Sequence, residues 1–256
     1  MLTFSASELI PAHQIFSFSS PFLSVEPLDG RIRPLSSAPK TDEEAYRMIK
    51  ETDLGSITKL THNKTRQVVW MASHCHTVSL REKYVNRLSK FISVDVYGDC
   101  GELTCERNHT HWLSDPSCYN ILESKYKFYL SFENSMCKDY VTEKFFEILK
   151  RNIIPVVYGL ANYSQIAPIH SYINALDYTP RKLAQYLKTL ETNEKLYNQY
   201  FWWKNHYRVE AGVEQMARHG FCDLCKKLHQ EINSTKYYQE LVSEWHPDTQ
   251  CRHLMT

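Results

Sequence analysis

The hydrophobic pattern between residues 66 and 158 contains two successive strand–helix–strand units. Each unit has a compact apolar run, then a stretch with apolar residues on one helical face, then a second apolar run. The predicted elements are strand Gln67–Met71, helix Ser79–Lys90 and strand Ser93–Tyr97, followed by strand Lys127–Phe132, helix Tyr140–Lys150 and strand Ile153–Tyr158. Two such units predict an α/β fold, in which a parallel sheet carries helices on its faces.

Two more helices are predicted after this region. Thr179 is a good N-cap with Pro180 at the first helical position, and Asn193 can cap the next helix. The aromatic run Tyr197–Trp203 could be a stacking platform for sugars or bases, but such a run is more often core, and we interpret it so. Before residue 66 the chain is irregular and proline-rich, with one helical patch near Thr41–Glu51.

Composition excludes several classes of protein. The 30 Lys and Arg against 29 Asp and Glu leave a net charge of +1, which argues against nucleic-acid binding built on phosphate neutralisation. The 43% hydrophobic content is enough for a sizeable core. The longest apolar run, Ile153–Ala161, is too short to span a bilayer.

The cysteines and glycosylation sequons favour the secretory route. Eight cysteines suit an oxidising compartment, although reduced, buried thiols are the alternative. Four N-x-[ST] sequons provide the glycosylation candidates Asn63, Asn108, Asn162 and Asn233. The N-terminus carries Glu8 and lacks a basic region, so it is a poor signal peptide. We therefore expect that an N-terminal segment is missing.

A candidate anion site follows the strand Lys127–Phe132. The loop Glu133–Asp139 lies at the carboxyl end of that strand, where ligands bind in open α/β sheets. Lys144 falls in the first turn of the next helix, where its charge opposes the helix dipole unless an anion joins it. The alternative is a solvated ion pair between Glu143 and Lys144.

The segment Lys127–Val157 reads KFYLSFENSMCKDYVTEKFFEILKRNIIPVV. It closely resembles the donor-site signature of the α-1,3-fucosyltransferases, and similar stretches cover roughly residues 66–230, including Trp70–Gly98 and Tyr200–Lys204. The resemblance implies a two-domain GT-B fold, in which GDP-fucose lies against the second, Rossmann-like domain. By position, Lys144 and Arg81 would hold the diphosphate and Glu143 the ribose hydroxyls. Asn134 and Tyr140 would line the nucleotide-sugar pocket.

The resemblance also implies a reaction. Family members transfer fucose from GDP-fucose to GlcNAc with inversion, in α-1,3 linkage, on N-glycans of glycoproteins. A Phe-Cys-x-Leu-Cys pattern within Phe221–His229 resembles core-type members, which modify the innermost GlcNAc, whereas a Lewis-type antennal acceptor is the runner-up. A non-catalytic GDP-sugar-binding fragment is the alternative from another class. No cofactor is required, and a divalent metal such as manganese is left open as a stimulator.

The family places an acceptor-binding domain before the block at Trp70. We therefore expect residues 1–65 to be the remnant of that domain, 66–220 the donor domain and 221–256 a cysteine-containing extension. No residue of this chain is assigned as the general base. The full-length form is expected to be a single-pass type II protein of the Golgi membrane facing the lumen, and this chain to be an N-terminally truncated copy without the anchor.

Six cysteines are disulfide candidates, namely Cys100, Cys105, Cys118, Cys222, Cys225 and Cys251. In the context of the resemblance, we expect structural disulfides at Cys222 and Cys225; the sequence leaves the partners open between Cys222–Cys225 and a bond of either of them to Cys251. The alternative is zinc, bound at the C-terminus with His229 and His253 or in the earlier loop with His109 and His111. We favour disulfides at both places and predict no metal site.

Overall fold

The computed structural model of the chain describes residues 30–52, 63–105, 116–230 and 251–252. Its helices and strands in chain order are β1 Gly30–Pro34, α1 Asp42–Glu51, β2 Arg66–Met71, α2 Arg81–Leu88, β3 Val94–Tyr97, α3 Pro116–Lys125, β4 Tyr126–Phe132, α4 Glu143–Leu149, β5 Ile154–Tyr158, α5 Tyr163–Ile166, β6 Ile173–Asn174, α6 Pro180–Thr192, α7 Glu194–Asn198, β7 Tyr207–Ala211 and α8 Val213–Gln230. Two 3₁₀ segments are Ala175–Asp177 and Gln199–Asn205.

A five-stranded parallel sheet organises the fold, with strand order β3-β2-β4-β5-β6. All five residues of β5 and six of the seven of β4 are buried. Near-continuous apolar strands are typical of parallel sheets with both faces covered. The predicted α/β class is confirmed, and the four predicted strands begin and end within one residue of their predicted bounds.

Helices cover both faces of this sheet. Phe128, Leu130 and Phe132 of β4 point to the face on which α2 and α6 pack, in a cluster that includes Leu88 and Leu187. The intervening β4 residue Tyr129 points to the opposite face, in a cluster with residues of α3 and α4. This alternation follows from the period of two along a strand. The sheet therefore holds the start of α4 in a fixed place beside the end of β4.

The helix starts predicted near residues 179 and 193 are confirmed. The Thr179 side chain accepts a hydrogen bond from the backbone N–H of Lys182, and Pro180 occupies the first turn. Asn193 caps α7 through the N–H of Leu196. The interpretation of the aromatic run as core is also confirmed, since all five of its aromatic residues are buried: Tyr197, Tyr200, Phe201, Trp202 and Trp203.

The segment 30–52 packs against the second half of the chain. Strand β1 pairs antiparallel with β7, and Gly30 lies so close to Phe146 of α4 that a Cβ there would overlap its ring. Helix α1, confirmed where the helical patch was predicted, buries Ala45 and Ile49 in the cluster that contains Phe146. Packing thus joins 30–52 to residues of the region 66–220.

Three disulfides cross-link the chain: Cys75–Cys100, Cys105–Cys118 and Cys137–Cys251. Cys100, Cys105, Cys118 and Cys251 are bonded as expected. Cys222 and Cys225 are not, since both are free and exposed on α8. The expected bridges of these two are corrected, because Cys251 bonds to Cys137 instead.

Zinc binding was the alternative use of these cysteines. Among the described residues, no group of three or more His, Cys, Asp or Glu side chains is placed so that it could hold a metal ion. His109, His111 and His253 lie outside the described ranges.

Of the four sequon asparagines, Asn63 and Asn162 are exposed, as glycosylation would require, and Asn108 and Asn233 lie outside the described residues. Within the described ranges, no helix is long and apolar enough to cross a membrane.

Candidate functional site

Three loops meet at the carboxyl ends of β2, β4 and β5, and backbone hydrogen bonds tie them together. The N–H of Ser79, in the loop after β2, donates to the carbonyl of Asn134 after β4 at 3.1 Å. The Ser79 hydroxyl donates to the Glu133 carbonyl at 2.8 Å. The N–H of Glu133 in turn donates to the carbonyl of Tyr158, the last residue of β5, at 3.0 Å. This edge is where open α/β sheets bind ligands.

Two of the disulfides fasten the same loops. Cys75–Cys100 joins the loop after β2 to the loop after β3. Cys137–Cys251 joins the loop after β4 to the C-terminal segment, where the N–H of Arg252 also donates to the Met136 carbonyl at 2.7 Å. The loops at this edge are therefore cross-linked rather than held by the sheet alone, which preorganises them for binding.

A charged cluster occupies the start of α4. The Glu133 carboxylate accepts from the N–H of Thr142 at 2.9 Å and from its hydroxyl at 2.8 Å. The Lys144 ammonium donates to the Thr142 hydroxyl at 2.9 Å and to Glu143 Oε1 at 3.0 Å, and lies 3.6 Å from Glu133 Oε2. Helix α4 begins at Glu143, later than predicted, because Thr142 is still extended. Lys144 nevertheless lies in its first turn, as the sequence predicted.

The three charged side chains of the cluster differ in their exposure to solvent. The side chain of Glu133 is 0% exposed and that of Lys144 is 18% exposed, whereas that of Glu143 is 31% exposed. The ion pair between Glu143 and Lys144 therefore forms, but it is mostly enclosed and not the solvated pair of the alternative interpretation. A ligand approaching from solvent would meet Glu143 and Lys144 and would not reach Glu133.

Burial and charge together set the protonation of these groups. Burial raises the pKa of Glu133, and the Lys144 ammonium partly offsets this. Burial acts against ionised Glu143 as well, but the ammonium and hydrogen bonds leave its pKa below the ordinary value. For Lys144, burial lowers the pKa, and the carboxylates of Glu143 and Glu133 outweigh it and leave the pKa well above the ordinary value. The ammonium is therefore charged at neutral pH.

Arg81 lies deeper than its predicted role suggests. Its side chain is enclosed, and the two terminal nitrogens donate to the carbonyls of Phe132 at 2.6 Å and His74 at 3.2 Å. Its Nε has no hydrogen-bond partner among the described residues. In this arrangement the guanidinium joins the loops after β2 and β4, and it would have to exchange partners to reach a diphosphate. Its binding role stays a prediction.

Asn134 and Tyr140 lie in the loop between β4 and α4. The buried Oδ1 of Asn134 has no hydrogen-bond partner among the described residues. A buried, unpaired amide oxygen is costly, so it indicates a place for a ligand donor or water. Tyr140 is buried in the same loop, close enough to Lys144 and Arg81 to influence both electrostatically. The structure thus brings the five predicted binding residues to one edge of the sheet.

Sequence reasoning missed Glu133 and Thr142. Thr142 lies at the N-cap position, where threonine is common, but its hydroxyl makes no capping hydrogen bond, so its residue type does not indicate its contacts with Glu133 and Lys144. Glu133 carries no local signal either, because its partners lie nine and eleven residues away across a loop. Only the fold shows that its carboxylate is turned inward and not to solvent.

Comparison with known families identifies the chain. Residues 61–245 match the model of glycosyltransferase family 10 (fucosyltransferase), C-terminal part. The chain belongs to this family. The resemblance inferred from the segment Lys127–Val157 is therefore confirmed.

Relatives within family 10 are much longer than this chain. It is 45% identical over 189 residues to alpha-(1,3)-fucosyltransferase C of Drosophila melanogaster, covering 73% of this chain and 42% of the relative. It is 39% identical over 195 residues to glycoprotein 3-alpha-L-fucosyltransferase A of the same organism, covering 74% and 37%. The chain thus spans about two fifths of the length of these curated relatives.

Among solved structures, the fold is similar to a crystal structure of an alpha1,3-fucosyltransferase with GDP-fucose. The TM-score is 0.52 at 18% identity, and the similarity covers 77% of this chain and 55% of the other. At this identity the comparison concerns the fold, which supports the Rossmann-like architecture predicted from the sequence.

Proposed function

We propose that the chain binds GDP-fucose at the carboxyl edge of its parallel sheet and belongs to an inverting α-1,3-fucosyltransferase that acts on GlcNAc of N-glycans. The observation that carries the proposal is the Lys144 ammonium, fixed in the first turn of α4 and still 18% exposed. The names of both Drosophila relatives, and the GDP-fucose in the similar solved structure, support it.

The neighbouring groups suit the remainder of the nucleotide sugar. The ionised carboxylate of Glu143 is the most exposed member of the cluster and can accept hydrogen bonds from ribose hydroxyls, as carboxylates do in other Rossmann-like sites. The unpaired Oδ1 of Asn134 can accept from a further donor of the ligand. The Lys144 ammonium lies 3.0 Å from Glu143 Oε1, so diphosphate and ribose would be held side by side.

In the proposed transfer, the acceptor hydroxyl attacks the anomeric carbon as the bond from that carbon to the diphosphate oxygen breaks. The electron pair leaves with GDP, and the preorganised Lys144 ammonium lies where that negative charge develops. Such stabilisation needs no metal in principle, and we propose that none is required. The proton of the acceptor hydroxyl passes to a base that we do not assign.

For the acceptor, we propose the innermost GlcNAc of N-glycans. The pattern within Phe221–His229 favours it, and one Drosophila relative is named a glycoprotein 3-alpha-L-fucosyltransferase. An antennal acceptor is the competing proposal, since a relative from Bos taurus, 38% identical over 178 residues, is named 4-galactosyl-N-acetylglucosaminide 3-alpha-L-fucosyltransferase 9. We further propose that the protein acts in the Golgi lumen, where exposed sequons and disulfides are usual.

A second candidate is donor binding without transfer. Glu133 and Glu143, the two carboxylates of the cluster, are both engaged with Lys144, so neither is free to act as the base. A chain of this kind would bind GDP-fucose and release no fucosylated product.

Calorimetric titration of GDP into the oxidised chain tests the donor site. We expect Lys144→Ala to weaken binding by roughly 10- to 150-fold, the equivalent of one hydrogen bond from a charged group. Lys83→Ala is the matched control, because it removes the same charge from an exposed position of α2 and should leave binding unchanged. Absence of GDP binding by the folded wild-type chain would refute the proposal.

A transfer assay then separates the two candidates. GDP-fucose is supplied with a glycopeptide that carries the N-glycan core, and in parallel with an N-acetyllactosamine acceptor, each with and without EDTA. Product on the core glycopeptide, insensitive to EDTA, supports the proposed enzyme. Product on N-acetyllactosamine alone supports the antennal acceptor. Binding with no product on either acceptor supports the second candidate.

A further inference from the structure

The Thr142 hydroxyl stands between two charged groups of opposite sign. It donates to Glu133 Oε2 at 2.8 Å and accepts from Lys144 Nζ at 2.9 Å. A hydroxyl has one proton to donate and two lone pairs to accept with, so both hydrogen bonds can exist at once. The direction of the two hydrogen bonds is also fixed, because an ammonium only donates and a carboxylate only accepts. Glu133, Thr142 and Lys144 therefore form a relay with a single direction.

The inner end of this relay is anchored on the sheet. Glu133 directly follows β4, and its backbone is bonded on both sides, through its N–H to Tyr158 and through its carbonyl to Ser79. Its carboxylate has no exposure to solvent and also accepts from the N–H of Thr142 at 2.9 Å. A carboxylate held in this way cannot rotate to meet a ligand. Its role is instead to hold the Thr142 hydroxyl in place.

The outer end of the relay is a lysine, whose long side chain has many rotamers. Ordering such a side chain costs free energy when it happens on binding, and a group that is already ordered avoids that cost. The backbone of Lys144 is fixed too, since its carbonyl accepts from the Ser131 hydroxyl of β4 at 2.7 Å. The ammonium is thus held by the buried Thr142 hydroxyl and by its own fixed backbone, while the Lys144 side chain remains 18% exposed to solvent.

We propose that Glu133 and Thr142 are positioning residues for the donor diphosphate: through the Thr142 hydroxyl, the buried carboxylate holds the Lys144 ammonium at the point where the diphosphate binds. The inference rests on the proposed function, since it assigns to these residues a task in GDP-fucose binding. Neither residue contacts the ligand. Their effect on binding passes through Lys144.

The test uses three variants of the oxidised full chain. Thr142→Val removes the hydroxyl at nearly constant volume, and Thr142→Ser keeps it. Glu133→Gln keeps an acceptor for the N–H of Thr142 and removes the charge. Calorimetry measures the Kd of each variant for GDP and for guanosine, which has the same base and ribose but no phosphate. Circular dichroism reports whether each variant folds.

We expect Thr142→Val and Glu133→Gln to weaken GDP binding about tenfold, the lower end of the effect of one hydrogen bond to a charged group, because Lys144 itself remains. Guanosine affinity should stay within about twofold of the wild type, and Thr142→Ser should restore GDP binding, because only the hydroxyl is needed. A purely structural role would weaken GDP and guanosine alike, and that result would overturn the inference.

The remaining outcomes separate the inference from the proposed function. Failure of the wild-type chain to bind GDP would refute the proposed function, and the inference with it. Wild-type GDP binding that both variants retain in full would overturn the inference alone. If Thr142→Val does not fold, Glu133→Gln decides. If neither folds, the relay is a determinant of folding and the inference is wrong.

Discussion

Replacing Gly159 by alanine should create a steric conflict that a second substitution removes. Gly159 follows β5, and a Cβ added there would lie 2.7 Å from the Tyr163 hydroxyl oxygen but 3.7 Å from the ring carbon that bears it. The Tyr163 ring cannot easily move, because its centroid is 5.1 Å from that of Phe145 and 5.5 Å from that of Tyr172. The other neighbour of the added Cβ, Glu133 Cγ, is at 3.4 Å, which is an ordinary contact distance. The conflict therefore involves the Tyr163 hydroxyl oxygen.

The magnitude follows from two opposing effects. Overpacking of a filled interior costs about 1–3 kcal/mol. Gly159 has a φ outside the left-handed region, so alanine by itself should stabilise by about 0.4–1 kcal/mol through the unfolded state. We expect Gly159→Ala to lower the free energy of unfolding by about 1–2 kcal/mol. In a Tyr163→Phe background the same change should raise it by about 0.4–1 kcal/mol.

A double-mutant cycle measures this change of sign. Urea unfolding, followed by the fluorescence of the five tryptophans, gives the free energy of unfolding of the four proteins. Tyr163→Phe alone should be close to neutral, because the hydroxyl has no hydrogen-bond partner among the described residues. Additive effects, with Gly159→Ala equally harmful in both backgrounds, would show that the hydroxyl is not the obstacle.

Three further predictions concern the buried lysine Lys204, the disulfide Cys137–Cys251 and the free thiols of Cys222 and Cys225. Burial lowers the pKa of Lys204 from 10.5 to about 8, so between these values the unfolded chain binds more protons and the free energy of unfolding should rise with pH. Urea unfolding at pH 7.5 and 9.5 should show this rise in the wild type and a smaller one in Lys204→Met; equal slopes would contradict it. Cys137→Ser/Cys251→Ser opens a link across 114 residues and should lower the free energy of unfolding by about 3–5 kcal/mol, which an unchanged urea midpoint would disprove. A thiol reagent should label the native, oxidised chain on Cys222 and Cys225, as peptide masses would show, whereas an unlabelled chain would mean that these two are bonded after all.

Local signals accounted for the elements that the sequence predicted well. The helix start at Thr179–Pro180 is determined by residues within one helical turn. The strands on either side of Lys144 are likewise determined by the residues of each strand itself. A short stretch of sequence therefore contains the information that predicts them. The position of Lys144 in the first turn was predictable even though the helix start was placed three residues early. The error did not change the conclusion, because the later start places Lys144 nearer to the N-terminus of the helix.

Long-range pairing accounted for what was missed. The partners of Cys251 could not be read from eight cysteines, which allow 105 pairings, and the bond to Cys137 depends on where the two segments meet in space. Strand β1 pairs with β7, which lies more than 170 residues later in the chain. Nothing near Gly30 indicates β7, so this pairing could not be predicted from the sequence.

The pairing of β1 with β7 also has a consequence for synthesis on the ribosome. Residues 30–34 are translated about 180 residues before Ala211, an interval of roughly 10–35 s at ordinary elongation rates. During that time the nascent chain already contains Phe145 and Phe146, but the strand that should cover Phe146 has no partner to hold it there. The apolar surface of α4 therefore lacks this cover until β7 has been translated, so this part of the fold can close only after Ala211 has been added.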